Sequence, residues 1–269
     1  MKQIETLDEL YDIVSASFKK GTITNNYMLL DAYETYIKQD KLLVVADDVN
    51  TAILLDKGDF YQLYFYLNDV NVPLQISVDK PLVMEILYRG LAKKPDQAIT
   101  YWENLGFIQH LSRDNMVASS NKIVLPETQS DKLNIRLASN ELEVKFTKNL
   151  FDDALDKYTG DRLSYGELNA LMKNKNLLCA YYEAELAGVL QFEIKNKVVW
   201  LGHIAVHPDF QGKGVANALV YQYVTMNNPE DNTRYALWVI QDNAPAIHLY
   251  RKFGFVYGNK STISLLKLA

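Results

Sequence analysis

Residues 207–219 read HPDFQGKGVANAL, with a proline, two glycines within three positions, and then the start of a helical rhythm. Upstream, VVWLGHIAV (198–206) is a mostly apolar run of strand character. Downstream, Val215, Leu219, Tyr223 and Met226 recur at i, i+4, i+8 and i+11, one face of a helix packed on a sheet. A strand, a glycine loop and a helix in succession leave several N–H groups without partners where the helix begins. The helix dipole adds roughly half a positive charge at that end. Gly212 and Gly214 carry no Cβ to hold an anion away from the backbone. The segment is therefore expected to seat a phosphate or pyrophosphate.

Three phosphate loops compete for this reading. A Walker A loop needs Gly-Lys-Ser/Thr, but Lys213 is followed by Gly214 and Val215. A dinucleotide fingerprint needs a third glycine or alanine at position 217, which is Asn, and an acidic residue about 20 positions on at the end of a second parallel strand; neither is met. The pattern Gln/Arg-x-x-Gly-x-Gly/Ala is met by Gln211, Gly214 and Ala216.

The chain also repeats itself. AITYWENLGF (98–107) aligns without a gap on AIHLYRKFGF (246–255), and LLVVADDVNTAIL (42–54) sits over LLCAYYEAELAGV (177–189) in the same strand–turn–strand sense. Leu177 to Phe255 spans 78 positions against 65 from Leu42 to Phe107, so the first copy is shorter by 13, about three and a half turns of helix. The shortfall falls where the second copy carries its glycine loop, and the first has no glycine between Gly58 and Gly90. The polar stretch VLPETQSDKLN (124–134) is read as the linker, giving domains 1–125 and 133–269. Helices are expected from Thr6, over Asn26–Lys38, from Pro95 to Gly106, over Leu142–Tyr158, and from Ser164, Gly214 and Ala244; strands fill the intervals. Thr6 with Glu9, and Ser164 with Glu167, have capping-box spacing.

The second copy resembles the GNAT superfamily of acetyl-CoA-dependent N-acetyltransferases, from about Ile135 to Leu266. HIAVHPDFQGKGVANALV looks like the family's motif A. NAPAIHLYRKFGF looks like its motif B, with Asn243, Ala246, Leu249, Tyr250, Gly254 and Phe255 at the expected spacing. The whole is similar to tandem-GNAT proteins with a degenerate first copy. The resemblance implies an α/β (α+β) fold of two lobes, each a mixed, mostly antiparallel sheet flanked by helices. It implies acetyl-CoA as co-substrate with no metal, and direct acetyl transfer to a primary amine in a ternary complex.

Carried over residue by residue, Ile204, Ala205 and Val206 offer backbone groups to the pantetheine arm and acetyl carbonyl. The N–H groups of Gln211, Gly212, Lys213, Gly214, Val215, Ala216 and Asn217 hold the pyrophosphate, with Lys213 as an added charge or merely solvated. Asn243 contacts the cofactor and Tyr250, two turns along the same face, protonates the departing thiolate. In the first copy Trp102 aligns with Tyr250 and has no hydroxyl, so that copy is not expected to catalyse.

The general base stays open. An amine of pKa ~10.4 costs about 4.6 kcal/mol to deprotonate at neutral pH. Candidate acceptors of the proton are His203 on the central strand, Glu193, His207 and water. Cys179 suggests an acyl-enzyme route, but no histidine is near it in sequence. Asp152, Asp153 and Asp156 could steer a cationic amine or simply form a wet helix face.

A net charge of −5 argues against a nucleic-acid partner. The single cysteine points to a reducing compartment. The longest mostly apolar run, 198–206, is about half a membrane span, and Met1–Leu10 has no apolar signal core. A cytoplasmic protein without nucleic-acid or membrane partners is expected, monomeric or a homodimer. Its acceptor is expected to be a small-molecule or amino-acid-like amine. The alternatives are a peptide or protein N-acetyltransferase, or a non-catalytic acyl-CoA-binding protein.

Overall fold

The computed structural model describes residues 1–126, 130–160, 162–227 and 233–269. In chain order the elements are β1 (Lys2–Gln3), α1 (Leu7–Ser17), β2 (Ile23–Thr24), α2 (Glu34–Lys38), β3 (Leu42–Ala46), β4 (Thr51–Asp56), β5 (Tyr61–Leu67), β6 (Leu82–Tyr88), α3 (Asp96–Asn104) and β7 (Ile108–Ser119). They continue with β8 (Leu133–Leu137), α4 (Glu141–Ala154), α5 (Tyr165–Lys173), β9 (Leu177–Tyr182), β10 (Glu185–Lys195), β11 (Val198–Val206), α6 (Val215–Met226), β12 (Arg234–Ile240), α7 (Ala244–Lys252) and β13 (Val256–Lys267).

The chain forms two compact units, Met1–Ser112 with Lys260–Ala269, and Arg113–Asn259. In the first, the strand order is β1-β3-β4-β5-β6-β13, with β2 also on β5; all neighbours are antiparallel except β5 and β6. In the second it is β7-β12-β11-β10-β9-β8, antiparallel except for β11 and β12. Each sheet is covered on both faces, so β4 reads TAILLD without alternation and its first five residues are buried. In the first unit α3 with Leu74 covers one face and α1 with Tyr33 and Ile37 the other. In the second, α6 and α7 cover one face, and α4 and α5 the other. The expected mixed, mostly antiparallel two-lobed α/β plan is therefore present.

The unit boundaries differ from the expected 1–125 and 133–269. Strand β7 follows α3 of the first unit, yet from Arg113 to Ser119 it pairs with β12 of the second. Strand β13 follows α7 of the second unit, yet Ser261–Lys267 pair with β6 of the first. The two halves have exchanged their last strands. Polar and proline cues mark where regular structure stops, and carry nothing about which sheet a strand joins. Of the expected linker, residues 127–129 lie outside the described residues; of the rest, Val124 N–H bonds the carbonyl of Phe253 at 3.3 Å and Leu133 opens β8, both within the second unit.

Helix signals fared unevenly. The helix expected over 26–38 is reduced to a 3₁₀ turn at Leu30–Tyr33 and the five-residue α2. Asn25 and Asn26 explain the loss. Buried Asn25 donates to the carbonyl of Leu63 (3.0 Å) and accepts from Phe65 N–H (2.8 Å), while Asn26 Oδ1 accepts from Met28 N–H (3.0 Å), pinning non-helical backbone. Ser164 and Glu167 form the full capping box. Thr6 caps Glu9 N–H, but the Glu9 carboxylate takes Glu5 N–H instead. A further box, Asn140 with Glu143, starts α4.

Glu143 does more than cap. It is fully buried, and accepts from Ser139 N–H (2.7 Å), Asn140 N–H (3.2 Å), the Tyr181 hydroxyl (2.6 Å) and the Arg136 guanidinium (2.7 Å). Burial pushes its carboxyl up. The bonds from Tyr181 and Ser139 and the Arg136 charge outweigh that, leaving it below the usual range. A carboxyl depressed on folding stabilises fully above its unfolded pKa of ~4.3, and the effect is lost as pH falls through the folded value. Glu143→Gln is expected to lower the unfolding free energy by about 2 kcal/mol at pH 7, and by progressively less as urea melts are taken below pH 4.

No described helix is long and apolar enough to cross a membrane, and among the described residues no group of three or more His, Cys, Asp or Glu could hold a metal ion.

Candidate functional site

Strands β11 and β12 pair only over Val198–Leu201 with Arg234–Leu237. Beyond that, β11 stays with β10 through Val206, and β12 stays with β7 through Ile240. The sheet of the second unit therefore opens between them. His207 N–H bonds the carbonyl of Ala187 at 2.9 Å. Antiparallel alternation then turns the backbone groups of Ala205 toward β10 and those of Ile204 and Val206 into the opening. Two of the three expected strand contacts thus present their peptide groups there; Ala205 does not.

At the end of this opening the chain makes a 3₁₀ turn, Pro208–Phe210, then the glycine loop, then α6. The N–H groups of Gln211 and Lys213 are used within the turn, by the carbonyls of Pro208 and Phe210. Those of Gly212, Gly214, Val215, Ala216 and Asn217 make no hydrogen bond to another described group. Gly212 (φ 76°) and Gly214 (φ 83°) are left-handed, and a Cβ on Gly212 would meet nothing within 4 Å. Open space faces a row of unpaired donors at the positive end of a 12-residue helix, which fits a diphosphate. Gly188 lets α6 sit close: a Cβ there would lie 2.9 Å from both Ala205 O and Val215 Cγ1. Lys213 is neither simply solvated nor ion-paired. Its ammonium lies 5.1 Å over the Tyr182 ring and 5.0 Å over Phe210, a cation–π seat at the loop's flank.

Tyr250, on α7, is buried in the α6/α7 cluster, 5.9 Å from the Phe255 ring. Burial pushes its ionisation far above the ordinary range, so the phenol keeps its proton at neutral pH. Its hydroxyl makes no hydrogen bond to another described group. Asn243 does not share that environment as the two-turn spacing suggested. It is the exposed N-cap of α7, its Oδ1 accepting from Ala246 N–H at 3.1 Å, with its NH₂ left for a ligand or solvent.

The register between β10 and β11 slips by one. Gln191 faces His203 and Phe192 faces Leu201, so Gly202 is an extra, bulged residue. The bulge reverses which face the chain shows. Leu201 belongs to the α6/α7 cluster, whereas His203 packs edge-on against Phe151 of α4 at 5.4 Å, on the opposite face. His203 lies in the opened part of the sheet. Glu193, in contrast, faces Trp200, level with the still-paired strands, and forms an ion pair with Lys195.

His207 caps its own turn through Nδ1, accepting from Asp209 N–H (3.4 Å), and stacks on Phe146. Cys179 is fully buried and its thiol is pushed up to about 12, which removes the thiolate an acyl-enzyme would need. The acidic run is mostly structural. Asp152 pairs with Lys148, and Asp156 Oδ1 accepts from Tyr158 N–H, Thr159 N–H and the Thr159 hydroxyl; Asp153 is exposed.

In the first unit the same strand plan carries no such site. Parallel β5 and β6 pair only over Tyr61–Gln62 with Leu82–Val83, and the connection 68–81 contains no helix. That connection folds back as filling: Leu74 is buried, the Tyr101 hydroxyl accepts from Leu74 N–H (2.7 Å) and donates to the carbonyl of Val72 (3.1 Å), and Asn50 Nδ2 bonds the carbonyls of Asp69 and Val72. Trp102 stands fully buried where the second unit has Tyr250, packed on Phe65, Tyr101 and Phe107.

Residues 141–255 match the model of the acetyltransferase (GNAT) family. Among solved structures, a GCN5-related N-acetyltransferase from Sphaerobacter thermophilus superposes with a TM-score of 0.60 at 15% identity, over 89% of this chain and 84% of that one. A tandem GNAT protein from the clavulanic acid biosynthesis pathway gives 0.56 at 14% identity, over 85% and 83%. A GNAT-family acetyltransferase from Colwellia psychrerythraea gives 0.53 at 14% identity, over 100% and 99%. No curated protein matches the chain by sequence. At these identities the likeness shows the fold, including its two-unit length.

Proposed function

We propose, from the match of residues 141–255 to the acetyltransferase (GNAT) family model, that the chain moves the acetyl group of acetyl-CoA to a primary amine of a small or amino-acid-like acceptor, with both bound at once. The observation that carries this reading is the set of unbonded N–H groups of Gly212 and of Gly214 to Asn217, facing open space beside a sheet that parts between β11 and β12. Acetyl-CoA supplies the activated acyl group as a thioester. The N–H groups of Gly212, Gly214, Val215, Ala216 and Asn217 hold its diphosphate, and the Lys213 ammonium adds charge beside them. The peptide groups of Ile204 and Val206 orient the pantetheine amides and the acetyl carbonyl in the opening. His203, in that opening and on the face away from α6, takes the proton released as the amine attacks, directly or through one water. Tyr250 gives its proton to the sulfur as the carbon–sulfur bond breaks.

Calorimetric titration with acetyl-CoA and CoA tests the reading, and saturable heat is expected. No saturation at millimolar concentrations overturns it. Gly212→Ala places a Cβ in the space above the donors and strains a left-handed residue. The acetyl-CoA dissociation constant is expected to rise about tenfold in that variant.

A further inference from the structure

We propose that the Gln191 carboxamide, set in place by the bulge at Gly202, is the hydrogen-bonding site for the acceptor, and that the acceptor carries an uncharged polar group beside its amine. This rests on the transferase reading above. The thioester enters from the side of the glycine loop and α6, so the amine must reach it from the opposite, α4/α5 face of the parted sheet. On that face Gln191 and His203 are a cross-strand pair, with Phe151 against the His203 ring. Trp238 lies across the opening, since its neighbours Leu237 and Val239 belong to the α6/α7 cluster.

Gln191 is only 5% exposed, and no described group hydrogen-bonds its carboxamide. Its polar atoms nonetheless reach the accessible surface, so two donors and an acceptor stand ready for a ligand on this face. Its Oε1 would lie 1.8 Å from a Cβ on Gly202, which shows what that glycine is for: φ there is ordinary, and the missing side chain is the room the carboxamide fills.

The charges narrow the ligand. Glu143 is committed to Arg136, Asp152 to Lys148, Asp156 to Thr159 and Glu193 to Lys195. These four carboxylates already have partners in the protein, and Asp153 is exposed on α4. A carboxamide offers two donors and an acceptor without charge, which suits a hydroxyl or an amide.

The test is steady-state CoA release by the full-length protein with four amines: propylamine, ethanolamine, glycinamide and 1,3-diaminopropane. Ethanolamine or glycinamide is expected to have the highest kcat/KM. For that amine, Gln191→Ala and Gly202→Ala are each expected to raise KM about three- to tenfold, with kcat and the acetyl-CoA KM within about twofold of wild type. The double variant is expected to be no worse than either single one, because Gly202→Ala already displaces the carboxamide. Gln191→Leu, which keeps the volume, is expected to behave as Gln191→Ala even where Gly202→Ala fails to fold. A preference for propylamine or the diamine, an unchanged KM in the Gln191 variants, or additive losses would overturn the proposal while leaving the transferase standing. Absence of turnover with every amine would remove the transferase reading, and this inference with it.

Discussion

Tyr250→Phe is expected to lower kcat about a hundredfold while leaving acetyl-CoA affinity within about twofold of wild type, as read by single-turnover rates and calorimetry. A positioned general acid contributes about 10²–10⁴ to rate, and the thiolate cannot leave unprotonated without cost. The substitution is clean because the hydroxyl makes no hydrogen bond to another described group, so removing it leaves no buried partner stranded. The ring stays packed on Phe255, and thermal stability should change by less than about 1 kcal/mol. Burial also fixes the pH behaviour. Its ionisation is pushed up, so the proton stays on through the neutral range, and Tyr250 imposes no alkaline loss of activity below about pH 10. Wild-type kcat in the Tyr250→Phe variant would show that the proton comes from elsewhere, most simply water, and would leave the loop's role untouched.

What could be read from the sequence was what local spacing encodes. The loop from Gln211 to Asn217 and the helix carrying Tyr250 each lie within one short segment, where the covalent chain fixes the geometry. The missing helix of the first unit was legible for the same reason, as a length difference between copies. Gly202 was a visible signal that went unused: a glycine inside an apolar strand suggests a bulge. Its consequence, reversing the face of His203 against Gln191, depends on the register between two strands, which no single-strand pattern contains. Glu143 was equally hidden, because Arg136 and Tyr181 reach it from neighbouring strands. Asn25 and Asn26 overrode helix periodicity by bonding strand β5 and their own backbone, a tertiary effect.

The exchange of last strands sets the largest effect on folding. A chain ending at Asn259 loses Ile263, Leu265 and Leu266, each at most 5% exposed, and with them the partner of β6. It also loses Ser264, whose hydroxyl bonds both backbone groups of Leu111. At about 1.5–3 kcal/mol for each buried aliphatic side chain, these three alone contribute about 4.5–9 kcal/mol, which is comparable to the whole stability of a typical domain. The first unit of the 1–259 chain is therefore expected to be unfolded, with rapid proteolysis of its β3–β6 region. The same topology separates two ways of isolating the catalytic unit. A 133–269 fragment lacks Arg113–Ser119, the seven residues paired with β12, and carries a final strand stripped of β6. It is expected to aggregate. A 113–259 fragment keeps every strand pair of the second unit and is expected to remain soluble and to saturate with acetyl-CoA in the same calorimetric titration. A monomeric, acetyl-CoA-binding 133–269 fragment would mean that β7 is dispensable, and that β8 to β12 suffice to hold the glycine loop and its helix in place.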